Sequence, residues 1–145
     1  MGDEEIYRET ILDHYKSPRH FGKIENPDIA ERGANVLCGD ELELDLLIKE
    51  GKLVDIRFQG KGCSISQASA SIMTEAVCGK KLEEIKELIS KFKKMMIENG
   101  SMEQWPEDLE DAKSLEGIKK YPVRVKCAVL SWNTLLEALK KYQGA

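Results

Sequence analysis

No apolar stretch in this chain approaches the roughly 18 residues that a membrane-spanning helix requires, and Met1 to Glu5 is acidic and polar, unlike a secretory leader. A cytoplasmic protein with no membrane partner is expected. An excess of positive charge is lacking too: a net charge of −4 gives no general attraction to nucleic acid, so nucleic acid is not an expected partner either. The sequence holds no internal repeat, no nucleotide-binding glycine loop and no serine–histidine–aspartate order. Cysteine is scarce, with four in 145 residues. A reducing cytoplasm argues against pairing them, and a chain of this length buries roughly two thirds of its unfolded surface without needing a disulfide or a metal. Metal or thiol chemistry is what remains for them.

The apolar pattern divides the chain into elements. Asp3 to Lys16 carries Ile6, Thr10, Ile11, His14 and Tyr15 at roughly helical spacing, and Ser17-Pro18 stops it, because a residue before proline avoids the helical region. Phe21 to Arg32 reads as an extended connection, with a short edge strand near Ala34 to Leu37. Leu42, Leu44, Leu46 and Ile48 then alternate with Glu43, Asp45 and Leu47, and Leu53, Ile56 and Phe58 follow Gly51-Lys52, which predicts a hairpin with one buried face. A core helix is expected over Ser66 to Cys78, ended by Gly79 in the C′ position. Leu82, Ile85, Ile89, Phe92 and Met96 mark a second helix. Pro122 is placed to start the last one, with Val125, Val129, Trp132, Leu136 and Leu139 as its stripe. Between them, Glu98 to Gly117 is acidic and poor in aliphatics and reads as an excursion, with one short helical turn near Leu109 to Leu115. The expected architecture is α+β: a small antiparallel sheet of about three strands, helices packed mainly on one face, in a single domain over residues 1–145 with an acidic insertion at 98–117.

The chemistry concentrates at Gly60 to Ser71. Gly60 and Gly62 flank Cys63 and free the backbone there, and Ser64 or Ser66 can cap a helix whose N-terminal dipole favours a thiolate. Cys38-Gly39-Asp40 lies upstream and Cys127 downstream, so three cysteines and a carboxylate are available to converge on one metal, and four ligands suit a tetrahedral ion. Arg124 and Lys126 adjoin Cys127, where cations lower a thiol pKa and hold anionic sulfur. Cys78 reads as a small buried residue; His14 is a candidate ligand or proton carrier, though a lone histidine on such a helix is more often a packing or surface residue, and His20, in the following loop, is a weaker candidate ligand.

Through Ile11-Leu12-Asp13-His14-Tyr15-Lys16-Ser17-Pro18-Arg19, Cys38-Gly39-Asp40, Gly62-Cys63-Ser64-Ile65-Ser66-Gln67-Ala68-Ser69-Ala70-Ser71 and Arg124-Val125-Lys126-Cys127-Ala128, the chain resembles the iron–sulfur cluster assembly scaffold family of IscU, SufU and the N-terminal domain of NifU. The resemblance covers nearly the whole length. It implies the IscU-like (SufE/NifU-like) fold, a mobile N-terminal segment that docks on a sulfur donor, and Cys38, Asp40, Cys63 and Cys127 as ligands of a transient [2Fe-2S] cluster or of zinc. It also implies a cysteine desulfurase and apo iron–sulfur proteins as partners, with Cys38 as the candidate persulfide acceptor. Homo-oligomerisation, and whether the protein counts as an enzyme, stay open. Lys126 stands where housekeeping IscU has a histidine, and Tyr121-Pro122-Val123-Arg124 does not reproduce the Leu-Pro-Pro-Val-Lys chaperone-recognition segment. With the insertion, these departures favour a SufU-like branch. Three functions follow as expectations: a cluster scaffold, a zinc-dependent sulfur acceptor for a desulfurase, or a structural zinc module.

Overall fold

A computed structural model describes residues 2–98 and 104–143. Helix α1 (Gly2–Lys16) leads into strands β1 (Ile29–Asn35), β2 (Asp40–Lys49) and β3 (Lys52–Lys61), then helices α2 (Ser64–Val77) and α3 (Leu82–Ile97), 3-10 turns at Glu107–Leu109 and Asp111–Lys120, and helix α4 (Pro122–Tyr142). The three strands form one antiparallel sheet in the order β1-β2-β3. The α+β architecture expected from the apolar pattern is therefore the one observed.

The hairpin follows from its sequence. Leu42, Leu44, Leu46 and Ile48 on β2 and Leu53, Ile56 and Phe58 on β3 are all buried, so one face of the pair is apolar. Glu50 and Gly51 both take positive φ (50° and 75°), the pairing of conformations that lets a two-residue loop match the twist of its strands. Helices α2 and α4 cover the apolar face. Helix α2 is buried on nearly every side, which its run of Ala and Ser makes feasible, since small side chains let α4, α1 and β3 approach it together. Helix α3 joins through Phe92, whose ring stacks on Trp132 of α4 at 4.0 Å between centroids and 11° between planes. Trp132 Nε1 donates to Ser69 Oγ at 2.9 Å, so the largest core side chain also satisfies its one polar atom.

Four features differ from the sequence expectations. The edge strand begins at Ile29, inside the stretch expected to be a plain connection, and ends at Asn35. Its residues alternate between half-buried and exposed with little apolar signal, because α4 packs on it closely enough that a Cβ at Gly33 would run into Thr134 Oγ1. Helix α2 starts at Ser64, and its N-cap is Cys63, in place of Ser64 or Ser66: the Cys63 sulfur accepts from Ser66 N at 3.5 Å. At the other end Gly79, φ +88°, takes the expected C′ position beyond Cys78. The acidic segment is not an excursion in its described part: Leu109, Ala112 and Leu115 are fully buried and Trp105 Nε1 donates to Leu109 O at 2.7 Å. Residues 99–103 of that segment lie outside the described residues. Finally, α4 buries more than a single stripe, with Cys127, Ala128, Leu130, Thr134, Leu135 and Ala138 inside beside Val129, Trp132 and Leu139, because it lies between the sheet, α2 and α3.

His14 explains why the 3-10 segment is held. It is 1% exposed, its Nδ1 lies 2.8 Å from Ser71 Oγ on α2 and its Nε2 lies 2.9 Å from Asp111 Oδ2. With the proton on Nε2, that nitrogen donates to Asp111 and Nδ1 accepts from Ser71, whose oxygen in turn accepts from Arg19 N at 2.8 Å. One imidazole thus links α1, α2 and the 3-10 segment. If the segment belongs to the core, Leu115→Ala will cost about 3 kcal/mol, in the range for emptying a buried leucine site, and will lower the urea midpoint accordingly. A loss below about 0.5 kcal/mol, the ordinary surface value, would show that the segment only lies against the surface.

Candidate metal centre

Four chain segments meet at one end of the sheet. Cys38 sits in the turn after β1, where its N–H donates to Asn35 O at 3.2 Å and Gly39 takes φ +69°. Asp40 opens β2, Cys63 caps α2, and Cys127 lies in the second turn of α4. A thiol sulfur of Cys38, a carboxylate oxygen of Asp40 and the sulfur of Cys127 lie within 4.8 Å of one another. Cys63 is outside that closest trio but lines the same cavity as Cys38 and Cys127, and its side chain is near enough to influence the Cys127 thiol.

Asp40 is the pivot. It is 1% exposed, and its Oδ1 accepts from Cys63 N at 2.9 Å, which ties the start of β2 to the start of α2. Its Oδ2 is buried with no hydrogen-bond partner among the described residues. An unanswered carboxylate oxygen is costly to bury, and beside two thiols it is an acceptor that a cation would satisfy. The room for this arrangement depends on Gly62, φ +151°: a Cβ there would collide with Asp40 Oδ1 and with Ser66 Oγ.

Cys127 is 1% exposed, and its sulfur contacts Asn35 Nδ2 at 3.5 Å and Val123 O at 3.8 Å. Burial, and then the neighbouring Cys38, Asp40 and Cys63 side chains, push its thiol well above the ordinary thiol range. This is opposite to the lowering expected from adjacent cations. Arg124 lines the cavity but is exposed, while Lys126 is exposed and absent from the lining, so desolvation outweighs them. Lys120, which sequence reasoning did not single out, does line it, and so do Tyr121, Pro122 and Val123 of the segment that departs from the chaperone-recognition pattern. The signal of Lys120 was position alone: it stands just before the helix that carries Cys127.

The donor set fits a thiophilic metal. Bonds to zinc of about 2.0–2.3 Å place the ligands of one ion within about 4 Å of each other, so the trio needs only a small contraction. The cavity, about 520 Å³, is much larger than a single ion and leaves space for a cluster or for a sulfur-bearing side chain from outside. Cys78 is remote from this group, being close to His20 and Asp55. None of the described residues within 98–117 lines the cavity.

The description "NifU-like N terminal domain" belongs to the family model that matches residues 6–145. The chain is 44% identical to an iron–sulfur cluster assembly scaffold protein IscU of Thermotoga maritima, with 94% of each chain covered. It is 39% identical to the zinc-dependent sulfurtransferase SufU of Bacillus subtilis, over 96% of this chain and 92% of that one. Among solved structures, an iron–sulfur cluster assembly scaffold protein for the SUF system from Fervidobacterium islandicum AW-1 superimposes with a TM-score of 0.85 at 41% identity, covering 93% of this chain and 97% of that one.

The raised Cys127 thiol has a measurable consequence. A thiol must lose its proton to bind metal, so zinc binding to metal-free protein will release protons, and apparent affinity will rise steadily from pH 6 to pH 8. In the metal-free protein itself, a folded-state pKa above the unfolded one stabilises the fold fully below the ordinary thiol value of about 8.5 and less as pH rises past it. Calorimetric titration in buffers of different ionisation enthalpy measures the proton count; zinc affinity independent of pH would contradict a protonated Cys127.

Proposed function

Because the chain belongs to the NifU-like N-terminal domain family, we propose that it is an iron–sulfur cluster assembly scaffold that takes persulfide sulfur from a cysteine desulfurase, gathers it with ferrous iron and with electrons from an external electron donor that reduce it to sulfide, as a [2Fe-2S] cluster on Cys38, Asp40, Cys63 and Cys127, and passes the cluster to apo-proteins. The observation that carries this reading is the mixed donor set itself: thiols of Cys38 and Cys127 beside a buried carboxylate with one unpartnered oxygen. A structural zinc site is normally closed by cysteine or by cysteine with histidine. A hard carboxylate oxygen is a poorer partner for a thiophilic centre than sulfur and leaves it more readily. Lability of one ligand suits a protein whose cluster is cargo.

The residues divide the work. Cys38, in a short turn and half-buried, is the acceptor: its thiolate attacks the outer sulfur of the desulfurase persulfide, the S–S bond breaks, and the desulfurase thiolate leaves. Cys63 has its sulfur at the N-terminus of α2, where the helix dipole and Ser66 N stabilise negative charge. Cys127, deepest of the three, has its thiol pushed up by burial and would give up its proton on binding metal. Asp40 holds Cys63 in place through one oxygen and offers the other to the metal. Arg124 and Lys120 at the cavity wall attract anionic sulfur as it arrives.

A second reading has its own support. Lys126 replaces the histidine of housekeeping IscU, and the zinc-dependent sulfurtransferase of B. subtilis matches over nearly the full length. In it, the same four residues would hold zinc, which would keep Cys38 unreactive when bound, and Cys38 would take and deliver sulfur without a cluster being built.

Replacing Cys38, Cys63 or Cys127 singly by serine and reconstituting anaerobically with iron and sulfide is expected to abolish visible cluster absorbance, while Cys78→Ser retains it. Equal loss from Cys78→Ser and Cys63→Ser would overturn the ligand assignment. If wild-type protein forms no cluster yet stimulates a desulfurase when zinc-loaded, the second reading takes its place. Asp40→Ala is expected to slow cluster transfer to an apo-ferredoxin by about tenfold, because alanine cannot dissociate to admit an incoming thiol or act as a base during exchange. Faster loss and faster transfer from the alanine form would show that Asp40 anchors the cargo.

A further inference from the structure

A second set of ligand-type side chains lies at the free edge of the sheet. Among the described residues β3 has no neighbouring strand on its outer side, and two connecting segments cross that edge instead. At one crossing Phe58 N donates to His20 O at 2.9 Å and Gly22 N donates to Phe58 O at 2.8 Å. At the other, Gly79 N donates to Leu53 O at 2.7 Å and Leu53 N to Lys80 O at 3.0 Å. Between the two, β3 bulges: Leu47 pairs with Asp55 and Ile48 with Leu53, which leaves Val54 without a partner on β2. A bulge re-aims the side chains beside it. Asp55 therefore stands between His20 from one crossing and Cys78 from the other, and one ligand atom of each lies within 4.8 Å of the other two.

We propose that His20, Asp55 and Cys78 form a second metal site, taking a divalent ion of zinc's class with a fourth coordination position left to solvent.

The donor set is one nitrogen, one oxygen and one sulfur, a combination that suits a borderline-soft ion and gives calcium or magnesium little to bind. All three residues are half-buried, so the ion would be partly desolvated and its exchange open. His20 Nδ1 is buried with no hydrogen-bond partner among the described residues, although imidazole nitrogens inside proteins are ordinarily satisfied. His20 also holds φ 57°, uncommon for a residue with a Cβ, and the two main-chain bonds to Phe58 fix it in that conformation. The Asp55 carboxylate is oriented by Ile56 N at 2.8 Å and by Arg57 Nε at 3.3 Å. Cys78 Sγ rests 3.8 Å from Val54 O at the bulge. Burial first, and then the Asp55 carboxylate, push the Cys78 thiol up against the opposing pull of Arg57. An ion here would staple the loop before β1 and the end of α2 onto β3, and it would do so independently of the centre formed by Cys38, Asp40, Cys63 and Cys127.

The test is a cobalt titration of the full reduced chain after chelator treatment, read by thiolate-to-metal charge-transfer absorbance. Wild type is expected to bind two equivalents. Cys78→Ser and His20→Asn, an exchange that tolerates positive φ, should each bind one, as should Cys127→Ser, and the Cys78→Ser/Cys127→Ser double variant should bind none tightly. Zinc a hundredfold above its dissociation constant should raise the Tm of Cys127→Ser by roughly 9 °C and leave the double variant unmoved. Two equivalents retained by both Cys78→Ser and His20→Asn, or no binding to a Cys127→Ser chain with native circular dichroism, would overturn the second site. Loss of one equivalent from Cys78→Ser with none lost from Cys127→Ser would instead overturn the first centre, so the two failures are distinguishable.

Discussion

A carboxylate buried with one oxygen satisfied and the other not is the constraint on which this end of the molecule depends. Asp40 Oδ1 binds Cys63 N, which fixes where β2 begins relative to where α2 begins. Removing water from that carboxylate is costly unless both oxygens are answered, and only the first is answered by the described residues. Gly62 exists at its position because any side chain there would displace Asp40. Asn35, the last residue of β1, reaches Cys127 on α4 and so brings the third thiol to the same point. The sheet, its two covering helices and the turn carrying Cys38 are in this sense aligned on a single acidic group.

The three thiols are not equivalent, and their differences order the chemistry. Cys127 is buried and held protonated by its surroundings; Cys63 sits on a helix N-terminus; Cys38 is in a turn beside Val36 and Leu37, which are largely exposed. On the opposite wall Tyr121 and Val123 are exposed as well. A group entering the cavity from solvent thus meets the half-buried turn cysteine before the deep one, past an apolar rim. Away from this end, the stacked Phe92 and Trp132 and the hydrogen bond from Trp132 to Ser69 hold α3, α4 and α2 in a fixed packing. The cavity beside Cys38, Cys63 and Cys127 is thus built on tightly packed helices.

Much of this was legible in one dimension. Alternation over Leu42 to Phe58 gave the hairpin, because burying one sheet face requires a period of two, and Gly79 and Pro122 marked helix ends for reasons of backbone geometry. Other features were not. β1 lacks apolar alternation because its partner, α4, packs onto a glycine and polar residues. The acidic segment looked peripheral because its few apolar residues, Leu109, Ala112 and Leu115, are spaced for 3-10 turns and buried by helices distant in sequence. His14 gave no sign of its partners, Ser71 and Asp111, which lie far along the chain.

By itself the sequence determined the residue types: three cysteines and an aspartate in glycine-bounded, strand-edge and helix-start contexts, whose local conformations depend on neighbours within a few positions. The tertiary structure decided depth and company. It placed Cys127 in the core with a raised thiol where adjacent cations had suggested a lowered one, since desolvation is set by the whole fold and a flanking charge that points to water is screened. It brought Lys120, and not Lys126, to the cavity wall. And it set His20, Asp55 and Cys78 together at a bulge on a free sheet edge, a meeting that no spacing in the chain announces because it arises from two connections crossing one strand.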